Sequence, residues 1–330
     1  MIPYVLRRIG HALVVLWGAI TLSFVIVQLV PGDPARLVLT GKESGGGGTA
    51  SAEQLAEIRT QMGLDRPLLQ QYLGYLGDVV TLDWGVAWSK EQREVVEVLG
   101  DGLVPTLQLG LTSLTLLLLL GLAGALASVL LPTRWLRAIA ETITLVGIAV
   151  PSFVLAIVLL QIFSFGLQWF PAFGTEGWRS LVLPSLAIAL LGAGTLAQVF
   201  ARSIREVQGE GHVEVARARG LSPRQVLTGH VLRNASLPVY TLVGILVGGI
   251  VSGAAIIETV FARPGIGQLY VEAVEARDFP LIQALIILTG GLYVLVTLVV
   301  DLTYPLLDPR IASPGGRARP RRAVTAPRSH

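Results

Sequence analysis

Cysteine is absent from all 330 residues, which excludes a disulfide framework, thiolate catalysis and any Cys-ligated metal. Charge is scarce: Asp, Glu, Lys and Arg make up 14% of the chain, against roughly 25% in soluble domains. Histidine occurs only at positions 11, 212, 230 and 330, in loops or near the ends of apolar runs. Intramembrane Ser–His hydrolysis therefore has no histidine to use, and no His/Asp/Glu cluster has metal-ligand spacing. The one Gly-Lys pair, Gly41–Lys42, continues Glu-Ser. It lacks the P-loop spacing, so nucleotide hydrolysis by that route is excluded. Ionisable groups are also nearly missing from the apolar runs, where Glu258 and Asp301 read as helix-end residues. That weakens ion-coupled secondary transport without removing it, since backbone carbonyls also bind sodium.

What is present is apolar surface, 52% of the chain. A first run, Leu13 to Val30, is long enough to span a bilayer when counted from Ile9. Its basic start (Arg7, Arg8, His11) is shared with signal peptides, but Pro31-Gly32-Asp33-Pro34 follows in place of a small-x-small cleavage site. The run is expected to be retained, with its N-terminus inside. Five further spans are drawn at Leu103–Leu131, Ile139–Phe165, Leu181–Ala201, Val239–Ile257 and Leu281–Leu306. The expected fold is thus an all-α polytopic membrane protein with six transmembrane helices and both termini on one side.

The chain divides into an N-terminus and first helix (1–30), an extracytoplasmic segment (31–102), a five-helix core (103–308) and a basic tail (309–330). The 31–102 segment carries a flexible run, Gly45 to Gly48, and two expected helices, Ser51–Met62 and Leu68–Val80. The Pro-, Gly- and Arg-rich tail is expected to be disordered and drawn to anionic membrane lipid. Arginines crowd the loops assigned inside, so the net charge of +3 is explained by membrane orientation, and nucleic acid is not an expected partner. Within the spans, Gly244, Gly248 and Ser252 recur every four residues, as do Gly249 and Gly253. Small residues at that spacing let a second helix approach closely. Pro151 is expected to kink the third span. Gln161 and Gln198 read as helix-to-helix hydrogen-bonding groups or as pathway lining.

The most informative stretch is polar, from Gly209 to Pro238. Glu210 to Ala218 suits a short helix, and Gly220 suits the left-handed position that ends one. Ser222, Pro223 and Gln225 then form an N-cap, first helical residue and capping-box partner. Val226, Leu227 and Val231 give the second helix an apolar stripe, with a stop expected before Leu237–Pro238. Such an elbow is either gripped by another protein or rests on lipid headgroups.

Glu214-Val215-Ala216-x-x-x-Gly220 resembles the EAA-x-x-x-G loop of permease subunits in binding-protein-dependent ABC importers. Further stretches resemble the dipeptide/oligopeptide/nickel branch, the DppB/OppB-like permeases. They include YVLRRIG at Tyr4–Gly10, LVPGDPA at Leu29–Ala35, MGLDRPLLQQYLGYL at Met62–Leu76 and VPSF at Val150–Phe153. ETVFARPGIGQL at Glu258–Leu269 and VDLTYPLLDPRI at Val300–Ile311 continue the series. Two departures stand out: Arg233 lies where the wider importer pattern has Leu-Pro, and Val215 replaces an alanine.

The resemblance implies a type I ABC importer permease in the bacterial inner membrane, with peptide first among cargoes and nickel, glutathione or other small solutes as alternatives. It implies no catalysis and no cofactor on this chain, ATP and Mg being bound by two DppD/DppF-like ATPase subunits. A second, DppC/OppC-like permease would complete the pathway, and a solute-binding protein would dock outside. Carried onto this sequence, Glu214, Val215, Ala216, Arg217, Arg219, Gly220 and Ser222 would seat a coupling helix on the ATPase. Ala216 and Gly220 would then allow the close approach.

Overall fold

The computed structural model describes residues 2–29, 56, 59–60 and 65–307. The glycine run at 45–48, most of the helix expected over 51–62, and the basic tail lie outside the described residues.

Helix α1 (Ile2–Leu29) begins with Pro3, which is tolerated in a first turn because that N–H has no intrahelical acceptor. Helix α2 (Leu68–Thr81) starts after Pro67 and lies against the far half of α1. There Thr21 and Tyr72 share a hydrogen bond of 2.8 Å, Ser23 and Tyr75 one of 2.6 Å, and Phe24 meets the Tyr72 ring edge-on and the Tyr75 ring at a tilt. A two-residue antiparallel pair, β1 (Val86–Ala87) with β2 (Arg93–Glu94), leads into α3 (Val95–Leu130). This helix starts eight residues before the expected Leu103. At 36 residues it is about 54 Å long, well beyond the roughly 30 Å hydrocarbon core.

The third span departs from expectation. In place of one kinked helix there are two, α4 (Arg134–Ala149) and α5 (Ser152–Leu159, continuing as a π-helix through Gly166), bent by 108°. The cause is local. Pro151 forces Val150 into extended geometry (φ −96°, ψ 122°) and has no N–H to offer, so two residues drop out of the helix. Among the described residues five helices are long and apolar enough to cross a membrane, or six if the bent pair counts as one crossing.

Helix α6 (Arg179–Gln208) is the centre of the bundle, packed against α3, α4, α5 and α9. Two-thirds of its most apolar window is buried (67%), whereas the other spans bury at most 28% of theirs. Close packing rests on absent side chains: Gly121 of α3 faces Leu196, and Gly192 of α6 faces Leu117. Beyond α6 come α7 (Gly211–Ala218) and α8 (Pro223–Val226). A π-turn (Leu227–Val231) then joins α8 without a break to α9 (Leu232–Val260). The stop expected before Leu237–Pro238 does not occur; Pro238 lies inside α9. Two further helices, α10 (Ile266–Glu275) and α11 (Phe279–Leu307), complete the described residues.

Contacts between distant residues order the ends. Thr106 of α3, Ser180 of α6, Glu258 of α9 and the start of α10 meet at one end of the bundle. Arg205 of α6 reaches Glu141 of α4 and the Ser128 carbonyl of α3 at the other, alongside α7 and α8. Arg8 and Asp301 also pair at this second end, at 2.9 Å.

The candidate coupling elbow and the buried junction beyond it

The elbow is built by local chemistry. Glu210 precedes α7, and the helix closes in a Schellman turn: Gly220 N donates to Arg217 O at 3.0 Å and Leu221 N to Ala216 O at 3.4 Å. Gly220 has φ +80°, the left-handed position expected of it. A capping box follows, with Ser222 N donating to Gln225 Oε1 at 2.9 Å and Gln225 N to Ser222 Oγ at 3.4 Å.

Two faces result. Val213 and Ala216, three residues apart, are buried with Val226 and Val231 in the core shared with α6 and α9. His212 is fastened to Glu210 at 3.1 Å and to Asn234 at 3.2 Å. Glu214, Arg217, Arg219, Gly220 and Ser222 are exposed, and Val215 shows 53% of its surface. Ala216 thus points into its own chain, so its small size serves packing of α7 on the bundle and not close approach from outside. The exposed face is mixed: one apolar residue, one acid and two arginines.

Toward the far end of α9, about 39 Å from Leu232 at 1.5 Å per residue, Glu258 is fully buried. It is not a solvated helix end. Thr106 Oγ1 donates to its Oε1 at 2.6 Å, and the Gly267 N–H to its Oε2 at 2.7 Å. The carboxylate therefore caps the first turn of α10, where backbone N–H groups favour negative charge. Gly267 is obligatory for this geometry, and Gly265 leaves the space that the Glu258 carboxylate occupies. A Cβ at Gly265 would fall on the Glu258 carboxylate, and one at Gly267 on the Ala255 backbone.

Arg263, 1% exposed, donates through Nη1 to Gly174 O at 3.2 Å and Ser180 O at 3.3 Å. Its Nε and Nη2 have no acceptor among the described residues. Burial pulls this guanidinium below its ordinary value, and the Glu258 charge opposes the shift. Nearby, buried Asp278 accepts from Ser89 N and Oγ at 2.7 and 2.8 Å, and Lys90 pairs with Glu272 at 2.5 Å. The hairpin, α10 and the start of α11 thereby form one cap.

The glycine stripes of α9 behave differently from one another. A Cβ at Gly244 would stand 2.7 Å from Val300, and one at Gly248 2.7 Å from Tyr293, so this stripe seats α11. Gly249 and Gly253 have open space beside them, and the side chain of Ser252 lies outside the described residues. Gln161 and Gln198 are exposed, on the outside of the chain. Asp301 is not a free helix end either, being held by Arg8. Among the described residues no group of three or more His, Asp or Glu is placed to hold a metal ion.

The fold of this helix bundle is shared with ABC transporters of known structure. The inward-facing MetNI methionine ABC transporter matches with a TM-score of 0.55 at 16% identity, over 64% of this chain and 96% of that one. An amino acid ABC transporter crystallised with histidines matches at 0.50 and 20% identity, over 65% and 94%. At these identities the likeness concerns the fold alone.

Sequence relationships are more specific. The family described as "Binding-protein-dependent transport system inner membrane component" matches residues 96–313, and its N-terminal companion matches residues 1–92. The chain belongs to this family: it is a multi-pass permease subunit of a binding-protein-dependent ABC importer. The glutathione transport system permease protein GsiC of Escherichia coli (strain K12) is 35% identical over 311 residues, 94% of this chain and 99% of the relative. GsiC of Salmonella choleraesuis (strain SC-B67) is 37% identical over the same coverage.

Proposed function

We propose that this permease forms half of a translocation pathway for short peptides and is driven through the 209–238 elbow by partner ATPases. The observation that carries the reading is the two-faced elbow. Val213 and Ala216 lock α7 to the bundle while Glu214, Val215, Arg217 and Arg219 stand free, as a force-transmitting contact requires. Because α8 runs into α9 without a break, a push on the elbow moves a whole spanning helix. ATP and Mg belong to the partner subunits, and hydrolysis there drives switching only if nucleotide binds one state better than the other. A second, homologous permease completes the pathway.

Orientation follows the arginines. Arg134, Arg137, Arg202, Arg205, Arg217, Arg219, Arg224 and Arg233 belong to the elbow end, which supports placing that end and both termini in the cytoplasm. The cap built from the hairpin and α10 then faces outward and receives the solute-binding protein. Relatives are named for glutathione, itself a short peptide, so a peptide or glutathione cargo suits this chain better than nickel.

Purification of the tagged chain from its own membranes in mild detergent tests the assembly. The expected result is recovery of a second permease with one or two P-loop ATPases. A stable homo-oligomer without an ATPase, reproduced after gentle crosslinking, would overturn the reading in favour of a self-sufficient transporter.

A further inference from the structure

We propose that the break between α4 and α5 lines the aqueous path of the solute, with Phe153, Gln161 and Gln198 beside it. The inference rests on the proposed function, in which this chain forms half of such a path. Helix α6 sets the depth. It carries no charge between Arg179 and Arg202, and Leu190 lies 11 residues from the first and 12 from the second. Those are about 17 and 18 Å at 1.5 Å per residue, so Leu190 marks the middle of the crossing. Gly147 of α4 packs at that level, where a Cβ would stand 2.9 Å from the Leu190 carbonyl oxygen. Val150 and Pro151 follow three and four residues later, so the chain breaks near mid-membrane.

Backbone groups decide what the break faces. The N–H groups of Ser152, Phe153 and Val154 open α5 with no partner among the described residues, and no side chain caps the helix. The carbonyls of Gly147, Ile148 and Ala149 lose theirs too, because Pro151 has no N–H and the next two N–H groups bond nowhere. Lipid offers such groups nothing, so irregular backbone at this depth persists only inside protein or against water. This stretch is not inside its own chain: Ala149, Pro151 and Phe153 are exposed, Phe153 by 44%. Two amides extend the polar surface. Gln161 follows Phe153 and exposed Ile157 at four-residue steps on α5. Gln198 lies one turn from Gly194, whose missing side chain admits Ile148 of α4. Neither amide has a side-chain partner among the described residues, and an unpaired amide is costly against lipid. Water satisfies all of these groups at once.

The chain has no cysteine, so one introduced thiol is its single reactive site. Ala149→Cys, Phe153→Cys and Gln198→Cys place it at exposed positions, and Ala156→Cys at a buried one on α5. Each variant, assembled with its partners in native membranes, is treated with a permanently charged methanethiosulfonate, and modification is read from the mass of this chain. Thiolate, the reactive form, is disfavoured away from water. The three exposed sites should therefore react at least about tenfold faster than Ala156→Cys, the effect of one unit in thiol pKa. With reagent on the outer side only, their rates should also differ by about tenfold between nucleotide-free and nucleotide-trapped transporter, since the path opens in one state. Rates no faster than that of Ala156→Cys overturn the proposal, whether lipid or a partner helix covers the break. Fast rates equal in both nucleotide states reveal a static crevice and overturn it as well. Recovery of ATPases from the same membranes separates the two readings. Their absence contradicts the proposed function and this inference with it; their presence with slow sites contradicts this inference alone.

Discussion

Thr106 donates to Glu258 at 2.6 Å while its own oxygen accepts from the Ile266 N–H at 2.8 Å, so one hydroxyl joins α3, α9 and α10. The residues are separated by 152 positions in the chain. We predict that Thr106→Val, nearly isosteric, destabilises the fold by about 1–3 kcal/mol, because a buried carboxylate and a backbone N–H both lose a partner. Thr106→Ser should retain most of that stability. Thermal unfolding of the purified protein checks this; a loss in Thr106→Ser with none in Thr106→Val would show that the methyl, not the hydroxyl, matters.

Glycine has opposite meanings at two places near α9. Gly267 has no room for a Cβ because Ala255 backbone atoms occupy the space, whereas nothing lies within 4 Å of the Cβ position at Gly249. Gly267→Ala should therefore cost about 1–3 kcal/mol, the range for overpacking a close contact. Gly249→Ala should leave the stability of this chain unchanged. A melting temperature for Gly267→Ala equal to that of the wild type would contradict the packing at this junction.

Asp78 gives α2 a pH dependence. Burial raises its carboxyl above the ordinary value of 3.8, the Asp83 charge adds to the rise, and Arg66 opposes it. A carboxyl raised in the fold binds its proton more tightly there than in the unfolded chain. Its contribution is fully present below the ordinary value and is lost as pH climbs through the raised one. Protection of the amides of 68–81 from hydrogen exchange, corrected for intrinsic rates, should fall over that interval in the wild type and not in Asp78→Asn. Parallel profiles for the two proteins would exclude Asp78 as the cause.

The elbow was legible in the sequence because its signals act within a few residues: Gly220 for a positive φ, Ser222-Pro223 with Gln225 for a cap. The span count was legible too, since it depends on run length and composition. Less local features were not. Pro151 marked a disturbance, but a bend of 108° depends on what α4 and α5 pack against after the break. Glu258 looked like a helix-end residue because the groups that bury it, Thr106 and Gly267, are remote or lie past a turn. Ala216 was read as an outward-facing contact, and only the position of α7 on α6 and α9 shows that it faces inward. Helix α10 was missed because its ten residues follow a Pro-Gly pair that reads as loop.

The central claim is that the exposed face of α7 transmits ATPase motion to α9. Its most direct test is paired measurement of ATP hydrolysis and solute uptake by the reconstituted transporter carrying Glu214→Arg, Val215→Glu or Gly220→Pro. The first two change exposed side chains only, and the third forbids the φ of +80° at the turn. Insertion and assembly should match the wild type, while uptake per ATP hydrolysed falls by about tenfold or more, corresponding to a loss near 1.4 kcal/mol of coupling. Wild-type uptake and hydrolysis in all three variants would contradict the account.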